Sequence, residues 1–182
     1  RALASGRDVA RLGALDPAIR TIACDLVTGA LDPSLQDCEV VVHCAALSSP
    51  WGRAENFHRA NVVATERLLE AARRQRVKRF IHLGSPSIYF RFHDQYDVGE
   101  EFEPPTHWIT DYARSKWESE CKVRAASGAG MQTLVLRPRA VFGEGDRAIF
   151  PRLLAVARRG WFQLVHGGRA VIDITHIDNL ID

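Results

Sequence analysis

Tyr112 and Lys116 lie four residues apart in the segment YARSK, a spacing that brings two side chains to one face of a helix. A phenol beside an ammonium can act as a general acid or base, because a nearby positive charge favours the phenolate form. Surface helices also carry tyrosine and lysine without any catalytic role. The pair alone therefore leaves both interpretations open.

Ser85 follows the apolar run Arg79–Leu83 in the segment GSPS. A serine at the carboxyl end of a central strand faces the ligand crevice of an α/β sheet, where its hydroxyl can hydrogen-bond a carbonyl or alcohol. Glycine, serine and proline are also the residues that turns favour. For Ser85 alone, a plain turn is the stronger interpretation.

Three further positions lie where a ligand could bind. Asp25-Leu26 and Cys44-Ala45-Ala46 each follow a short apolar run, and the small alanines would let a flat ligand lie against the backbone. Asn61 interrupts an otherwise apolar helix face. Because a buried amide needs partners, Asn61 is either a satisfied core group or a residue that orients water or substrate.

Short β-branched runs alternate with longer helical patterns, which predicts an α/β fold with a Rossmann-type doubly wound parallel sheet. The predicted strands are Arg20–Cys24, Glu39–His43, Arg79–Leu83, Thr133–Leu136, Phe162–Val165 and Ala170–Thr175. The predicted helices are Ala54–Arg76, Asp111–Ala126 and Ile149–Arg159. The long irregular segment Pro86–Ile109 leaves the strand that precedes Ser85, and its aromatic side chains either cover a ligand or pack against the domain.

The composition is that of an ordinary globular protein, with 46% hydrophobic and 25% charged residues and a net charge of +2. This balance excludes a disordered tail, a coiled coil and a dedicated nucleic-acid binder, and no apolar run is long enough for a membrane span. The basic run Arg73–Arg79 is better explained as a solvated helix end. The cysteines (Cys24, Cys38, Cys44 and Cys121) lack metal-site spacing, so we expect reduced core thiols, no metal and a cytoplasmic location.

Six segments together resemble the extended short-chain dehydrogenase/reductase superfamily, which includes nucleotide-sugar epimerases and 3β-hydroxysteroid dehydrogenases. They are Asp25-Leu26, HCAAL (His43–Leu47), Asn61 in ANVVAT, Ser85 in GSPSIY, YARSK (Tyr112–Lys116) and RPRAVFGEGD (Arg137–Asp146). Their order and spacing follow the family across nearly the whole chain. The joint match is far more specific than any single segment.

The resemblance implies a catalytic centre of serine, tyrosine and lysine. Tyr112 would be the general acid/base, and Lys116 would favour its ionised form and hydrogen-bond the nicotinamide ribose. Ser85, rather than Ser87, would hold the reacting oxygen. Asn61 would order the helix and water behind the tyrosine.

The resemblance also implies NAD or NADP as the cofactor. Asp25 and Leu26 would flank the adenine, Cys44, Ala45 and Ala46 would line the dinucleotide with Tyr112 and Lys116, and Pro138, Ala140 and Val141 would approach the nicotinamide. No acid stands where a partner of the ribose 2′-hydroxyl is expected, whereas Ser5 and Arg7 could meet a 2′-phosphate. This difference slightly favours NADP.

Within the superfamily, the chain looks most like the steroid-dehydrogenase branch and the 2-alkyl-3-oxoalkanoate reductases. Dehydratases carry an Asp-Glu pair where this chain has Pro86-Ser87, which disfavours elimination of water. The expected reaction is hydride transfer between NAD(P)H and a secondary alcohol or ketone of a small apolar substrate, without nucleic acid. A nucleotide-sugar epimerase and a non-catalytic dinucleotide-binding sensor or scaffold remain alternatives, and a homodimer stays open.

One departure from the family concerns the glycine-rich loop that gives backbone N–H groups to the cofactor pyrophosphate. No GxxGxxG segment is present, and RALASGRD looks like the end of the family's second strand. We therefore expect a sheet incomplete at both ends, with a partial NAD(P)-binding domain over 1–148 and the start of a substrate-binding part over 149–182. A segment without this loop is expected to be a poor catalyst.

Overall fold

The computed structural model describes residues 2–49, 51–101, 103–128, 130–146, 149–160, 165–169 and 171–182. These residues belong to two compact units, one that ends at Leu136 and one that spans Arg137–Asp182.

The strands of the first unit are all parallel, as the apolar runs predict. They form a two-stranded sheet of β1 (Leu3–Gly6) and β2 (Arg20–Ala23), and a three-stranded sheet of β3 (Val40–His43), β4 (Arg79–Leu83) and β5 (Gln132–Leu136) in that order. The parallel register pairs His43 with His82 and Leu83 with Leu136. Parallel strands joined by helical crossovers confirm the Rossmann-type prediction.

Helices connect these strands. They are α1 (Val9–Gly13), α2 (Asp32–Leu35), α3 (Ala54–Phe57), α4 (Ala64–Arg74) and α5 (Asp111–Ala125). A π-helical segment, His58–Val63, joins α3 to α4, so the helix predicted over Ala54–Arg76 is confirmed but contains a wider turn. The Thr110 hydroxyl accepts a hydrogen bond from the Ala113 N–H and starts α5.

One face of the three-stranded sheet packs against α4 and α5. Val41 and Phe80 point into this core, where they meet Leu68 and Ala72 of α4 and Val123 of α5. Because side chains alternate along a strand, His43 and His82 lie on the same buried face. The opposite face exposes residues such as Val42 and Leu134.

The second unit contains the parallel pair β6 (Val141–Phe142) and β7 (Thr175–His176), with α6 (Phe150–Arg158) and α7 (Ile177–Ile181). The predicted strand Phe162–Val165 lies mainly outside the described residues, and Val165 begins a 3₁₀ turn. The predicted strand Ala170–Thr175 is wrong over 171–174. Val171 and Ile172 are exposed, so apolar β-branched residues here have no sheet face to cover.

The cysteine prediction is only partly correct. All four thiols are free and Cys24 is buried, but Cys44 and Cys121 are exposed. Cys44 follows β3 directly and continues its alternation, in which Val40 and Val42 are exposed and Val41 and His43 are buried. Cys121 lies on the solvent side of α5. In the part of the chain that the structure describes, no helix is both long and apolar enough to cross a membrane.

Candidate active site

Lys116 lies in α5 with only 3% of its surface exposed. Its Nζ donates a hydrogen bond of 2.6 Å to the carbonyl oxygen of Leu83, the last residue of β4. Burial lowers the pKa of Lys116 to about 8, while the nearby Glu120 carboxylate acts in the opposite direction. The side chain is therefore still mainly a cation at neutral pH, held against the carboxyl end of the central strand.

Ser85 follows this strand end by two residues, so the structure brings Ser85 and Lys116 to the same edge of the sheet. The Ser85 Oγ accepts a hydrogen bond of 3.2 Å from the Ser87 N–H and lies 2.9 Å from the Ser87 Oγ. It thereby caps a 3₁₀ turn, Pro86–Tyr89, which packs against α5. The turn interpretation of GSPS is confirmed, and the same turn holds the Ser85 hydroxyl beside the helix that carries Tyr112.

Tyr112 stands in the first turn of α5 and is half-buried. Its ring lies against the buried ring of Phe57, with 6.2 Å between the two centroids. Its carbonyl oxygen accepts a hydrogen bond of 2.8 Å from the Ser115 hydroxyl. The backbone of this first turn is thus held by a side chain on the same helix.

Asn61 connects this helix turn to the segment that follows β3. Its Oδ1 accepts a 2.7 Å hydrogen bond from the Leu47 N–H, and its Nδ2 donates to the Leu47 carbonyl at 3.2 Å and to the Ser115 Oγ at 2.9 Å. The residue is 1% exposed and belongs to the π-helical segment, a feature that is frequent at functional sites. Asn61 is therefore a satisfied buried amide that also positions the turn behind Tyr112.

Two histidines lie beneath this site, with ring centroids 5.2 Å apart. His43 Nε2 is 2.9 Å from the Thr65 hydroxyl, and His82 Nε2 is 3.3 Å from the Ser119 hydroxyl. Burial, together with the Lys116 charge, lowers the pKa of His43 to about 4 and that of His82 to about 2. Both imidazoles are therefore neutral at neutral pH, which avoids placing further positive charges beside Lys116.

Asp25 and Leu26 lie at the end of β2, in a loop with a defined shape. The Asp25 Oδ1 accepts hydrogen bonds from the N–H groups of Val27 at 2.7 Å and Thr28 at 3.1 Å. The Val27 bond is the main reason that the pKa of Asp25 lies below its usual value. Leu26 is partly buried against the core, so the loop presents backbone and one carboxylate at the strand end.

The remaining predicted residues fall into two groups. Cys44, Ala45 and Ala46 are exposed at the carboxyl end of β3, next to the strand end that carries Ser85. Pro138, Ala140 and Val141 belong to the second unit, where Val141 begins β6. Their role at a nicotinamide stays a prediction.

The segment after the 3₁₀ turn exposes several aromatic side chains. Phe92 is 87% exposed and Tyr96 80% exposed, while Phe90 packs edge-on against Phe92 with 5.8 Å between centroids. Phe92 and Tyr96 are therefore not packed against the domain, so of the two interpretations of this segment the cover over a ligand is left for these rings. Phe102 lies outside the described residues.

Several residues of the site are not among those predicted from the sequence. Ser115 could have been found, since it lies three residues after Tyr112 on the same helix, and Thr65 lies four after Asn61. His82 and Ser119 carry no sequence signal, because their contact depends on how α5 crosses β4. Among the described residues, no group of three or more His, Cys, Asp or Glu side chains could hold a metal ion.

The model of the NAD dependent epimerase/dehydratase family matches residues 2–182. The chain belongs to this family. Membership agrees with the parallel sheets described above and confirms the resemblance found in the sequence.

Relatives within the family include reductases. The chain is 38% identical over 160 residues to the uncharacterized protein YbjS of Escherichia coli, covering 86% of this chain and 47% of that protein. It is 34% identical over 149 residues to the 2-alkyl-3-oxoalkanoate reductase of Stenotrophomonas maltophilia, covering 78% of this chain and 43% of that enzyme. The chain thus spans less than half the length of these two relatives.

Solved structures with the same fold include MoeE5 in complex with UDP-glucose and NAD. The two chains are 28% identical with a TM-score of 0.70, over 87% of this chain and 53% of that one. The UDP-glucuronic acid 4-epimerase of Bacillus cereus, at 23% identity and a TM-score of 0.73 over 86% of this chain and 55% of that one, shares the fold.

Proposed function

We propose that the protein is an NAD(P)-dependent oxidoreductase that interconverts a secondary alcohol and a ketone on an apolar substrate of the 3β-hydroxysteroid or 3-oxoacyl type. The observation that carries this proposal is the buried Lys116 cation, which is bonded to the end of β4 two residues before Ser85 and lies on the same helix as Tyr112. The 34% identity to a 2-alkyl-3-oxoalkanoate reductase supports an oxidoreductase of this kind. The exposed aromatic rings after the 3₁₀ turn favour an apolar substrate.

Two strand ends support a dinucleotide here, although the sequence has no GxxGxxG segment for its pyrophosphate. Exposed Ala45 and Ala46 leave room at the end of β3, and the shaped Asp25 loop lies at the end of β2. Lys116 would hold the ribose next to the nicotinamide, and the Asp25 loop would hold the adenine. When bound, the nicotinamide supplies or accepts the hydride that none of these side chains can provide.

The side chains would handle the proton and the reacting oxygen. In the reducing direction, the Tyr112 hydroxyl would donate its proton to the substrate oxygen, and the Lys116 ammonium would stabilise the negative charge left on the phenol. The Ser85 hydroxyl would hold that oxygen by a hydrogen bond. Asn61 and Ser115 would keep the tyrosine turn in place.

Arg7 supports NADP over NAD within this proposal. It is an exposed cation at the end of β1, and its guanidinium lies 3.7 Å from the Asp25 Oδ2, so it stands at the predicted adenine end. A 2′-phosphate would bring a dianionic partner there.

A nucleotide-sugar epimerase is the second candidate, favoured by the likeness to MoeE5, whose structure contains UDP-glucose and NAD. An epimerase restores its cofactor in each turnover, whereas a reductase consumes it. Incubation with UDP-glucose, monitored by NMR for a C4 epimer and by absorbance for NAD(P)H, separates the two.

The proposal is tested by replacing Tyr112 with Phe. We expect kcat with NAD(P)H and a panel of 3-oxoacids and ketosteroids to fall by at least about 10²-fold, because the proton donor is removed. Cofactor binding measured by calorimetry should persist. Ser127→Ala, which removes an exposed hydroxyl beyond the far end of α5, is the control and should retain its rate. Unchanged turnover in Tyr112→Phe would overturn the proposed chemistry.

A further inference from the structure

Arg67 of α4 reaches across to the loop that follows β2. Its two terminal nitrogens donate hydrogen bonds to the carbonyl oxygens of Leu26, at 3.0 Å, and of Gly29, at 3.1 Å. The planar guanidinium thus holds two backbone groups that lie three residues apart in the sequence. This contact joins the helix that begins at the Asn61 segment to the loop of Asp25.

Hydrogen bonds within the loop itself fix the conformation of its other residues. The Gly29 N–H donates to the Asp25 carbonyl at 2.7 Å, and the Asp25 carboxylate accepts from two N–H groups of the same turn. A Cβ on Gly29 would lie 2.7 Å from both the Asp25 carbonyl oxygen and the Cys24 sulfur, so the turn requires glycine. Bonds within the turn fix its conformation, and the two Arg67 bonds fix its position relative to α4.

The chemistry of this contact differs from that of a surface ion pair. Arg67 is partly buried and its two bonds go to neutral carbonyl oxygens. Hydrogen bonds from a charged donor are stronger than neutral ones, and a guanidinium can make two with fixed geometry. Lysine at this position would offer a point charge that cannot reproduce both bonds together.

We propose that Arg67 is a positioning residue for the adenine half of the dinucleotide, acting through the backbone of Leu26 and Gly29. This inference rests on the proposed function, since it takes the Asp25 loop as the adenine site. Arg67 does not contact the cofactor. It keeps the Asp25 carboxylate and the Leu26 backbone where the adenine would lie.

The test compares Arg67→Met and Arg67→Lys with Arg73→Met, an exposed arginine on the same helix. In Arg67→Met we expect KM and Kd for NAD(P)H to rise about tenfold, with kcat unchanged within about twofold, because the loop is displaced while the Tyr112 centre is not. Arg67→Lys should recover part of the affinity. Arg73→Met should match the wild type.

A second measurement reports on the loop without any turnover. Amide hydrogen exchange at Val27 and Thr28, in the protein without cofactor, should accelerate in Arg67→Met and stay unchanged in Arg73→Met. Arg67→Lys provides the same comparison if the methionine variant fails to fold. Faster exchange with an unchanged cofactor KM would overturn the role of Arg67 while leaving the proposed function standing. A wild-type protein that binds neither NADH nor NADPH would overturn both.

Discussion

The turn behind Tyr112 and the loop after β2 are both held by side-chain hydrogen bonds, but the two regions use different groups. At the Tyr112 turn the hydrogen bonds join buried neutral groups, since Asn61 is bonded to Leu47 and Ser115. At the loop, a partly exposed carboxylate and a guanidinium hold backbone groups. The contrast follows burial, since water is excluded from one region and reaches the other.

The two regions also differ in the charge that each one holds. The buried region holds the Lys116 cation, and His43 and His82 beside it stay neutral because burial and that cation both oppose protonation. The loop keeps Asp25 ionised through N–H donors of its own turn. We therefore expect changes in the buried region to act mainly on the free energy of unfolding, and changes in the loop to act mainly on the affinity for NAD(P)H.

Acid should destabilise the protein through the histidine pair, and this is the largest effect we expect. Both pKa values are lower in the folded protein than the unfolded value of 6.5, so the unfolded state binds more protons below pH 6.5. Well above pH 6.5 the two histidines therefore do not reduce the free energy of unfolding. Between pH 6 and pH 4 they should lower it by roughly 2–3 kcal/mol per pH unit. Urea unfolding across this range measures the slope.

Variants separate this contribution from other acid effects. His82→Phe removes one of the two groups and should roughly halve the slope. His93→Phe replaces an exposed histidine and should leave it unchanged. Asp25, Asp32 and Glu39, whose pKa values lie below their usual range, add to the loss only at the acid end of the range. Equal slopes in wild type and His82→Phe would contradict the assignment.

Asn61→Leu tests the neutral network itself. The change keeps the volume but leaves the Leu47 N–H, the Leu47 carbonyl and the Ser115 hydroxyl without this partner, in a region that excludes water. We expect the free energy of unfolding to fall by about 3 kcal/mol. Asn56→Leu, on the exposed side of α3, is the matched control and should change stability by less than about 0.5 kcal/mol. Similar losses in the two variants would show that Asn61 is not special.

The sequence predicted the parts of this structure that depend on local pattern. Runs such as Arg79–Leu83 became strands because their apolar side chains cover a face, and YARSK became a helix that brings Tyr112 and Lys116 to one side. The resemblance to the family then supplied candidate roles for Ser85 and Asn61. Those roles remain predictions, while the family itself is confirmed.

Features that depend on packing could not be predicted. The π-helical segment around Asn61 has no signature in the residues HRANVV, and the contact of Arg67 with Leu26 joins residues about forty positions apart. In each case the sequence shows the residue, and its surroundings come from distant parts of the chain.

Arg7→Gln is expected to have the smallest effect on stability of these variants. The guanidinium is 3.7 Å from the Asp25 carboxylate, and the Arg7 side chain is 76% exposed, so the pair should contribute less than about 0.5 kcal/mol to the free energy of unfolding. The Val27 N–H is the main reason that the pKa of Asp25 lies below its usual value, and the Arg7 charge lowers it further as a smaller contribution. Because most of its side chain is exposed, Arg7 can contact a ligand while it stays near Asp25.

If the 2′-phosphate binds at this end of the sheet, the ratio of kcat/KM for NADPH to that for NADH should fall about tenfold in Arg7→Gln, because a charge-assisted hydrogen bond is lost for NADPH alone. Arg11→Gln, which removes another exposed cation that is paired with Asp8, controls for net charge. An unchanged ratio would remove Arg7 from the cofactor site. A loss of stability as large as that of Asn61→Leu would instead show that the loop is held as tightly as the buried turn, and the contrast between the two regions would fail.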